Sequence, residues 1–143
     1  MAERRDPYPG YDVLAKRDGP SWNEQTRRMV DARLAIERDD HRVLDEAEWR
    51  VLGALCDRIV PQPADREQPT PLAAMVDRKI RLGKTDGFRP ANLPPLAEAW
   101  RRGLVAIDAE ARAAHGVGFA DLGPDRQGAL LRLIQAGEAR HEA

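Results

Sequence analysis

The sequence contains one cysteine, one serine and few aromatic residues. The first two shortages each exclude a class of site, and the third limits the core. The single cysteine, Cys56, excludes an intrachain disulfide and a metal site built from several cysteines. The single serine, Ser21, has no histidine near it in the sequence, which argues against a serine nucleophile. Phe, Tyr and Trp make up only 5% of the 143 residues. We therefore expect a lean core that rests mainly on leucine and alanine.

The chain also lacks an excess of either charge. Lys and Arg total 23 against 24 for Asp and Glu, so the formal net charge is -1, and the two signs are interleaved. Such a chain has no field that would attract phosphate backbones or anionic membranes, so nucleic acid is not an expected partner. Lysine is scarce, since 20 of the 23 basic residues are arginine, a residue that suits protein interfaces.

Long apolar runs are absent too. No run of about 18 apolar residues occurs, so we expect no direct insertion into a membrane. The pair Arg27-Arg28 is followed by charged residues instead of the apolar segment that a twin-arginine export signal needs. The absence of a signal predicts a cytoplasmic location, or a periplasmic one if the chain is exported with a partner that carries a signal.

No catalytic constellation stands out. A chain of 143 residues is too short for a dinucleotide-binding domain plus a substrate domain. Asp57 and Asp77 each stand beside an arginine, a pattern typical of surface or interface ion pairs. Cys56 lies on the apolar face of a predicted helix, where a small core residue is the ordinary interpretation. We expect no catalytic, cofactor-binding or metal-binding residue, and no catalysis by this chain alone.

Helix signals recur along the chain. Asp45 and Glu48 have the spacing of an acidic capping box, and the apolar residues that follow, through Ile59, predict one buried face. A first helix is predicted from Ser21, as the N-cap, to about Arg38. Three more helices are predicted to start at Thr70-Pro71, Pro94-Pro95 and Gly123-Pro124 and to end at Gly83, Gly116 and Gly137.

No segment alternates apolar and polar residues as a strand does. The sequence predicts an all-α fold: a compact bundle of about four helices over residues 43–138, preceded by an extended N-terminal arm and one additional helix. Residues 1–42 would hold the arm and a docking helix, and residues 139–143 a frayed tail. Gly103, inside the longest helix, is reasonable if another helix crosses there closely.

Aromatic residues on a polar arm usually bury against something. We therefore predict Tyr8, Tyr11 and Trp22 as anchors for a partner, with Phe88 and Arg89 of the loop before the longest helix as secondary anchors. Packing against the chain's own core is the alternative for the two tyrosines, and packing under their own helices is the alternative for Trp22 and Phe88.

Four sequence blocks, in order and in register, carry a family resemblance. The blocks are EW at 48–49 with LCDRIVP at 55–61, MVD at 75–77, GLVAID at 103–108, and FADL at 119–122 with Gln127 and Leu130-Leu131. Over roughly residues 46–137 the chain resembles the gluconate 2-dehydrogenase subunit 3 family. The missing apolar segment departs from members that carry an export signal.

The resemblance implies a small, cofactor-free, chaperone-like helical subunit. It would bind and stabilise a large FAD-dependent dehydrogenase of the glucose-methanol-choline type that oxidises a sugar, sugar acid or polyol. The resemblance places FAD in that partner and also allows a cytochrome subunit as an electron acceptor. The alternatives are a stand-alone helical adaptor or regulatory module and a catalytic domain of unknown type.

Overall fold

The computed structural model describes residues 8–40, 43–83, 85, 87–88 and 90–139. Helices are the only regular elements in this part of the chain, which confirms the all-α prediction. The elements are a 3-10 helix Val13–Lys16, α1 (Glu24–Leu34), α2 (Glu46–Ile59), α3 (Leu72–Arg81), α4 (Leu96–His115), a second 3-10 helix Phe119–Asp121, and α5 (Pro124–Gln135). The chain divides between Ala35 and Ile36 into two compact units.

Helix α2 begins where its sequence predicts. The Glu48 backbone N–H donates to the Asp45 carboxylate at 2.9 Å, and the Asp45 N–H donates to the Glu48 carboxylate at 2.9 Å. This capping box satisfies two backbone donors that the first turn of a helix leaves without partners. The predicted capping box is confirmed.

Glycines end three helices as predicted. Gly83, Gly116 and Gly137 follow α3, α4 and α5 with φ angles of 60°, 76° and 74°. A side chain would oppose this left-handed conformation, which is why glycine is the usual residue there.

The start of α1 differs from the prediction. Asn23, and not Ser21, is the N-cap, and its side-chain oxygen accepts from the Thr26 N–H at 2.8 Å. Asparagine caps at least as well as serine, so the later residue competes successfully. The helix also ends at Leu34, short of the predicted Arg38.

The N-cap of α3 lies one residue after the predicted position. The Thr70 N–H donates to the Gln62 side-chain oxygen at 2.6 Å, and the Gln62 amide donates to the Thr70 carbonyl at 3.0 Å. Pro71, and not Thr70, takes the N-cap position, and its side chain makes no capping hydrogen bond. The Gln62 side chain thereby links the segment that leaves α2 to the segment that begins α3.

The core of the second unit is built around Phe119. This side chain is fully buried, and its 3-10 helix packs against both α2 and α4. The buried Gln127 amide of α5 donates to the Phe119 carbonyl at 3.0 Å. The other large buried apolar residues are Leu44, Val51, Leu52, Ile80, Leu104, Leu122 and Leu130. Burial of each such side chain stabilises the folded state by about 1.5–3 kcal/mol relative to leaving it exposed.

The first unit is held by polar contacts instead of a core. The Arg17 guanidinium donates to both oxygens of the Asp31 carboxylate, at 2.6 and 3.2 Å, and thereby ties the 3-10 turn to α1. These hydrogen bonds lower the pKa of Asp31. Neither α1 nor the 3-10 helix has a buried residue. The turn at Val13–Lys16 and its tie to α1 give residues 8–20 local structure beyond an extended arm.

Candidate docking surface

The two tyrosines predicted as anchors are exposed and lie together. Tyr8 and Tyr11 are 71% and 57% exposed, and their ring centroids are 6.3 Å apart at a tilt of 56°. The Lys16 ammonium lies 4.9 Å from the centre of the Tyr11 ring, a cation–π contact. The exposed Val13 and Leu14 of the following turn add apolar surface to the same unit.

The other predicted anchors lie elsewhere. Trp22 belongs to the same unit as the tyrosines but is partly buried. Phe88 belongs to the second unit and is 94% exposed. Arg89 lies outside the described residues. The structure thus brings together two of the five predicted anchors, and their role in binding a partner stays a prediction.

The second unit carries an apolar groove that sequence reasoning did not identify. It has a volume of about 200 Å³ and lies between α2 and α4. Its lining consists of Leu55 from α2 and of Leu96, Ala99, Trp100, Gly103, Leu104 and Ile107 from α4. Leu96, Trp100, Leu104 and Ile107 recur at three- and four-residue steps and form one apolar stripe of α4, but only Leu104 among them is fully buried. We call this feature the α2–α4 groove.

The end of α2 leaves further apolar surface exposed. Ile59 was predicted on the buried face of the helix, and the prediction is wrong because its side chain is 64% exposed. Ile59 lies one turn beyond Leu55, in the last turn before Pro61, and the described part of the chain leaves its side chain largely uncovered. Val60, the next residue, is also 49% exposed.

Gly103 lines the groove and has open space beside it. The sequence suggested that another helix crosses α4 closely at this residue. Among the described residues, no atom outside the local helix lies within 4 Å of the position that a Gly103 Cβ would occupy. The close approach that would explain this glycine is therefore not made by the described part of the chain.

A smaller polar cleft lies beside Cys56. It has a volume of about 160 Å³, and its lining includes Trp49, Cys56, Asp57 and Gln62. Burial raises the pKa of the Cys56 thiol, and the negative charge of Asp57 raises it further. Because a thiolate, and not a thiol, is the reactive form, this environment disfavours nucleophilic chemistry at Cys56.

Within residues 8–40, 43–83, 85, 87–88 and 90–139, no group of three or more His, Cys, Asp or Glu side chains could hold a metal ion. None of the helices in the described part of the chain combines the length and apolar character that are needed to cross a bilayer.

The comparisons with known proteins bear on the second unit. No curated protein and no solved structure gave a significant match. The family model for gluconate 2-dehydrogenase subunit 3 matches residues 46–143, which is more than half of the chain and begins at the first residue of α2. The chain therefore belongs to the gluconate 2-dehydrogenase subunit 3 family.

Proposed function

We propose that this chain is the non-catalytic small subunit of a sugar, sugar-acid or polyol dehydrogenase. Membership of the family indicates an accessory subunit of a dehydrogenase complex. The large subunit would be an FAD-dependent enzyme of the glucose-methanol-choline type, and this chain would bind and stabilise it. The observation that carries the proposal is the family match, which spans all four helices of the second unit.

The exposed apolar surfaces support a binding role. Leu55 lines the α2–α4 groove, and the exposed Ile59 lies one turn further along α2. Contiguous exposed apolar surface often marks an interaction site, because burying it against a partner removes it from water. A large dehydrogenase subunit would supply the surface that covers it.

The first unit supports the same role in a different way. Its helices contain no buried residue, so apolar burial within the unit contributes little to its order. Contact with a partner would bury Tyr8 and Tyr11, which are rigid and apolar over most of their area. We propose that these residues dock on the large subunit.

Cofactor and location follow from the partner in this proposal. FAD would belong to the large subunit and would supply the oxidising chemistry there, and a cytochrome subunit would take the electrons. The complex would be cytoplasmic, or periplasmic where a partner carries the export signal.

Purification of the complex followed by an activity assay tests the proposal. The full chain with a C-terminal tag is expressed in its native host, and material recovered through the tag is assayed with sugars, sugar acids and polyols and an artificial electron acceptor. We expect oxidation by the recovered complex, a flavin spectrum in the same fraction, and no turnover by the chain purified alone.

Two results would contradict the proposal. Turnover by the chain alone would make it a catalytic domain. Stable recovery of a partner that contains no flavin and oxidises none of these substrates would favour the stand-alone adaptor.

A further inference from the structure

Short-range hydrogen bonds shape the segment before α1. The Tyr11 N–H donates to the Tyr8 carbonyl at 3.0 Å, and the Arg17 N–H donates to the Leu14 carbonyl at 2.9 Å. Between these two bonds, the Asp12 carboxylate accepts from the Leu14 N–H at 2.8 Å and caps the 3-10 helix. Bonds of this kind close turns of three or four residues, but they do not attach the turns to a larger element.

Arg17 attaches this segment to α1 through two parts of the residue. Its guanidinium donates to both oxygens of the Asp31 carboxylate, and its backbone carbonyl accepts from the Arg27 guanidinium at 2.9 Å. Arg27 and Asp31 stand four residues apart, so they are neighbours on one face of α1. We call these three residues the Arg17 latch.

The geometry of the Arg17 latch distinguishes it from an ordinary surface ion pair. A single exposed pair usually stabilises little, because solvent screens the charges and both side chains lose freedom. Here two N–H···O bonds fix the guanidinium on one carboxylate, and a third bond holds the backbone of the same residue. The side-chain hydrogen bond from Arg17 lowers the pKa of Asp31, as expected for a contact that favours the charged carboxylate.

The Arg17 latch lies next to the exposed tyrosines. Lys16, the residue before Arg17, places its ammonium 4.9 Å from the centre of the Tyr11 ring, and that ring lies 6.3 Å from the ring of Tyr8. Neither the 3-10 helix nor α1 has a buried residue, so apolar packing within these elements cannot replace the polar contacts. The arrangement of the two rings therefore depends on the contacts at Arg17.

We propose that the Arg17 latch holds Tyr8 and Tyr11 in a preformed arrangement for docking. A partner that binds a preformed segment does not have to order it, so binding is tighter by the conformational entropy that is saved. This inference rests on the proposed function, in which the two tyrosines dock on the large dehydrogenase subunit. It adds the contact that controls how they are presented.

Arg17→Lys tests the latch while it keeps the positive charge. Lysine cannot make the two parallel hydrogen bonds that arginine makes to one carboxylate. Arg28→Lys is the matched control, because Arg28 pairs with Glu24 inside the same helix. Both variants therefore replace an ion-paired arginine of the first unit, but only Arg17→Lys changes the contact between the segment and α1.

Amide hydrogen exchange in the isolated full chain measures whether the latch orders the segment. The N–H groups of Ala15 and Gly19 donate to the carbonyls of Asp12 and Lys16, and both residues lie close to Arg17. We expect these two amides to exchange at least about threefold faster in Arg17→Lys, and at the wild-type rate in Arg28→Lys. Exchange of both amides at the rate of an unfolded chain in the wild type would overturn the inference.

A double-mutant cycle tests whether Arg17 and Asp31 act through one contact. Asp31→Asn removes the negative charge and one of the two accepting oxygens. Adding Asp31→Asn to Arg17→Lys should speed the exchange of the Ala15 amide little more than either change alone, since each already disrupts the pair. Fully additive effects would contradict the latch.

Competition in the assembled complex tests the effect on docking. A tagged variant and the untagged wild-type chain are co-expressed with the flavoprotein that co-purifies with the wild-type chain, and their ratio in the complex is measured by mass spectrometry. Arg17→Lys should be under-represented about threefold, whereas Arg28→Lys should compete like the wild type. Equal competition by the two variants would overturn the inference.

The two measurements separate this inference from the proposed function. If the wild-type chain binds no flavoprotein, the proposed function fails, and the role of the latch in docking fails with it. If a complex forms and Arg17→Lys exchanges faster but competes like the wild type, the proposed function stands and only the inference fails.

Discussion

The Asp77 carboxylate accepts a hydrogen bond from the backbone N–H of Leu44 at 3.0 Å. The same oxygen accepts from the Val43 N–H at 3.2 Å, and the Asp77 side chain is almost completely buried. A residue of α3 thus fixes the segment that leads into α2. The surface position predicted for Asp77 is wrong, because the carboxylate is buried and accepts hydrogen bonds from backbone groups.

Asp77→Ala is expected to destabilise the second unit. Removing the carboxylate leaves the buried Leu44 N–H without its acceptor, which costs about 2–3 kcal/mol. Urea denaturation followed by circular dichroism measures the change. The exposed Asp57 serves as the control, since Asp57→Asn should change the free energy of unfolding by less than about 0.5 kcal/mol. Equal stability of the two variants would contradict an anchoring role for Asp77.

Gly118→Ala is expected to destabilise the second unit by about 1–3 kcal/mol. A Cβ on Gly118 would lie 2.7 Å from the Asp108 carboxylate, too close for the two atoms to coexist. The same carboxylate oxygen accepts from the Phe119 N–H at 2.8 Å, so its displacement also disturbs the segment at the centre of the core.

Gly123→Ala is the control for Gly118→Ala. Both glycines are N-caps with nearly the same backbone angles, φ -67° and ψ 159° for Gly118 and φ -66° and ψ 157° for Gly123. A Cβ on Gly123 would have no atom within 4 Å among the described residues. Thermal unfolding should therefore show a clear loss of stability for Gly118→Ala alone. Similar melting temperatures for the two variants would refute the steric explanation.

Cys56 is expected to react slowly with iodoacetamide in the folded protein. Burial, reinforced by Asp57, raises the pKa of its thiol, whereas an unfolded cysteine ionises at about pH 8.5. The unfolded state therefore loses its proton first as the pH rises. The contribution of Cys56 to stability is present below about pH 8.5 and is lost as the pH rises toward the raised native pKa.

Alkylation rates and pH-dependent stability check this prediction together. At pH 8.5 the native protein should be alkylated more slowly than the urea-unfolded protein, and Cys56→Ala should lose less stability than the wild type above that pH. Equal alkylation rates in the two states would show that the thiol is not shielded.

Deletion of residues 1–20 is expected to leave the second unit folded. All of the buried hydrophobic residues in the described part of the chain lie between Leu44 and Leu130, so the deletion removes no core side chain. The melting temperature should change by less than about 2 °C. Binding to the dehydrogenase subunit should weaken, because Tyr8 and Tyr11 are removed. A collapse of the melting transition would instead make the arm part of the core.

Local signals predicted the helices well. The capping box at Asp45 and Glu48 and the glycines at 83, 116 and 137 act over a few residues, and the structure confirms them. Ser21 and Thr70 were assigned as N-caps wrongly, because a nearby residue or a distant side chain competed for the same backbone groups. Such competition depends on which partners the fold brings close.

The docking surface was harder to predict, because periodicity does not distinguish a buried face from an unpartnered one. Leu104 and Trp100 fall on the same stripe of α4 and both line the groove, yet Leu104 is buried and Trp100 is partly exposed. Only the number and placement of the surrounding helices decide this difference. The glycine at 103 does not decide the matter either, because Gly53, inside α2, has equally open space at its Cβ position.

The most direct measurement of the central claim is the mass and absorbance spectrum of the species that co-elutes with the tagged full chain. Size-exclusion chromatography with light scattering should show a complex several times heavier than the 16.0 kDa chain. Its spectrum should contain the bands of a bound flavin, which bleach when a sugar or polyol substrate is added. Elution of the chain as a colourless monomer or homodimer, from cells that contain the dehydrogenase subunit, would contradict the account.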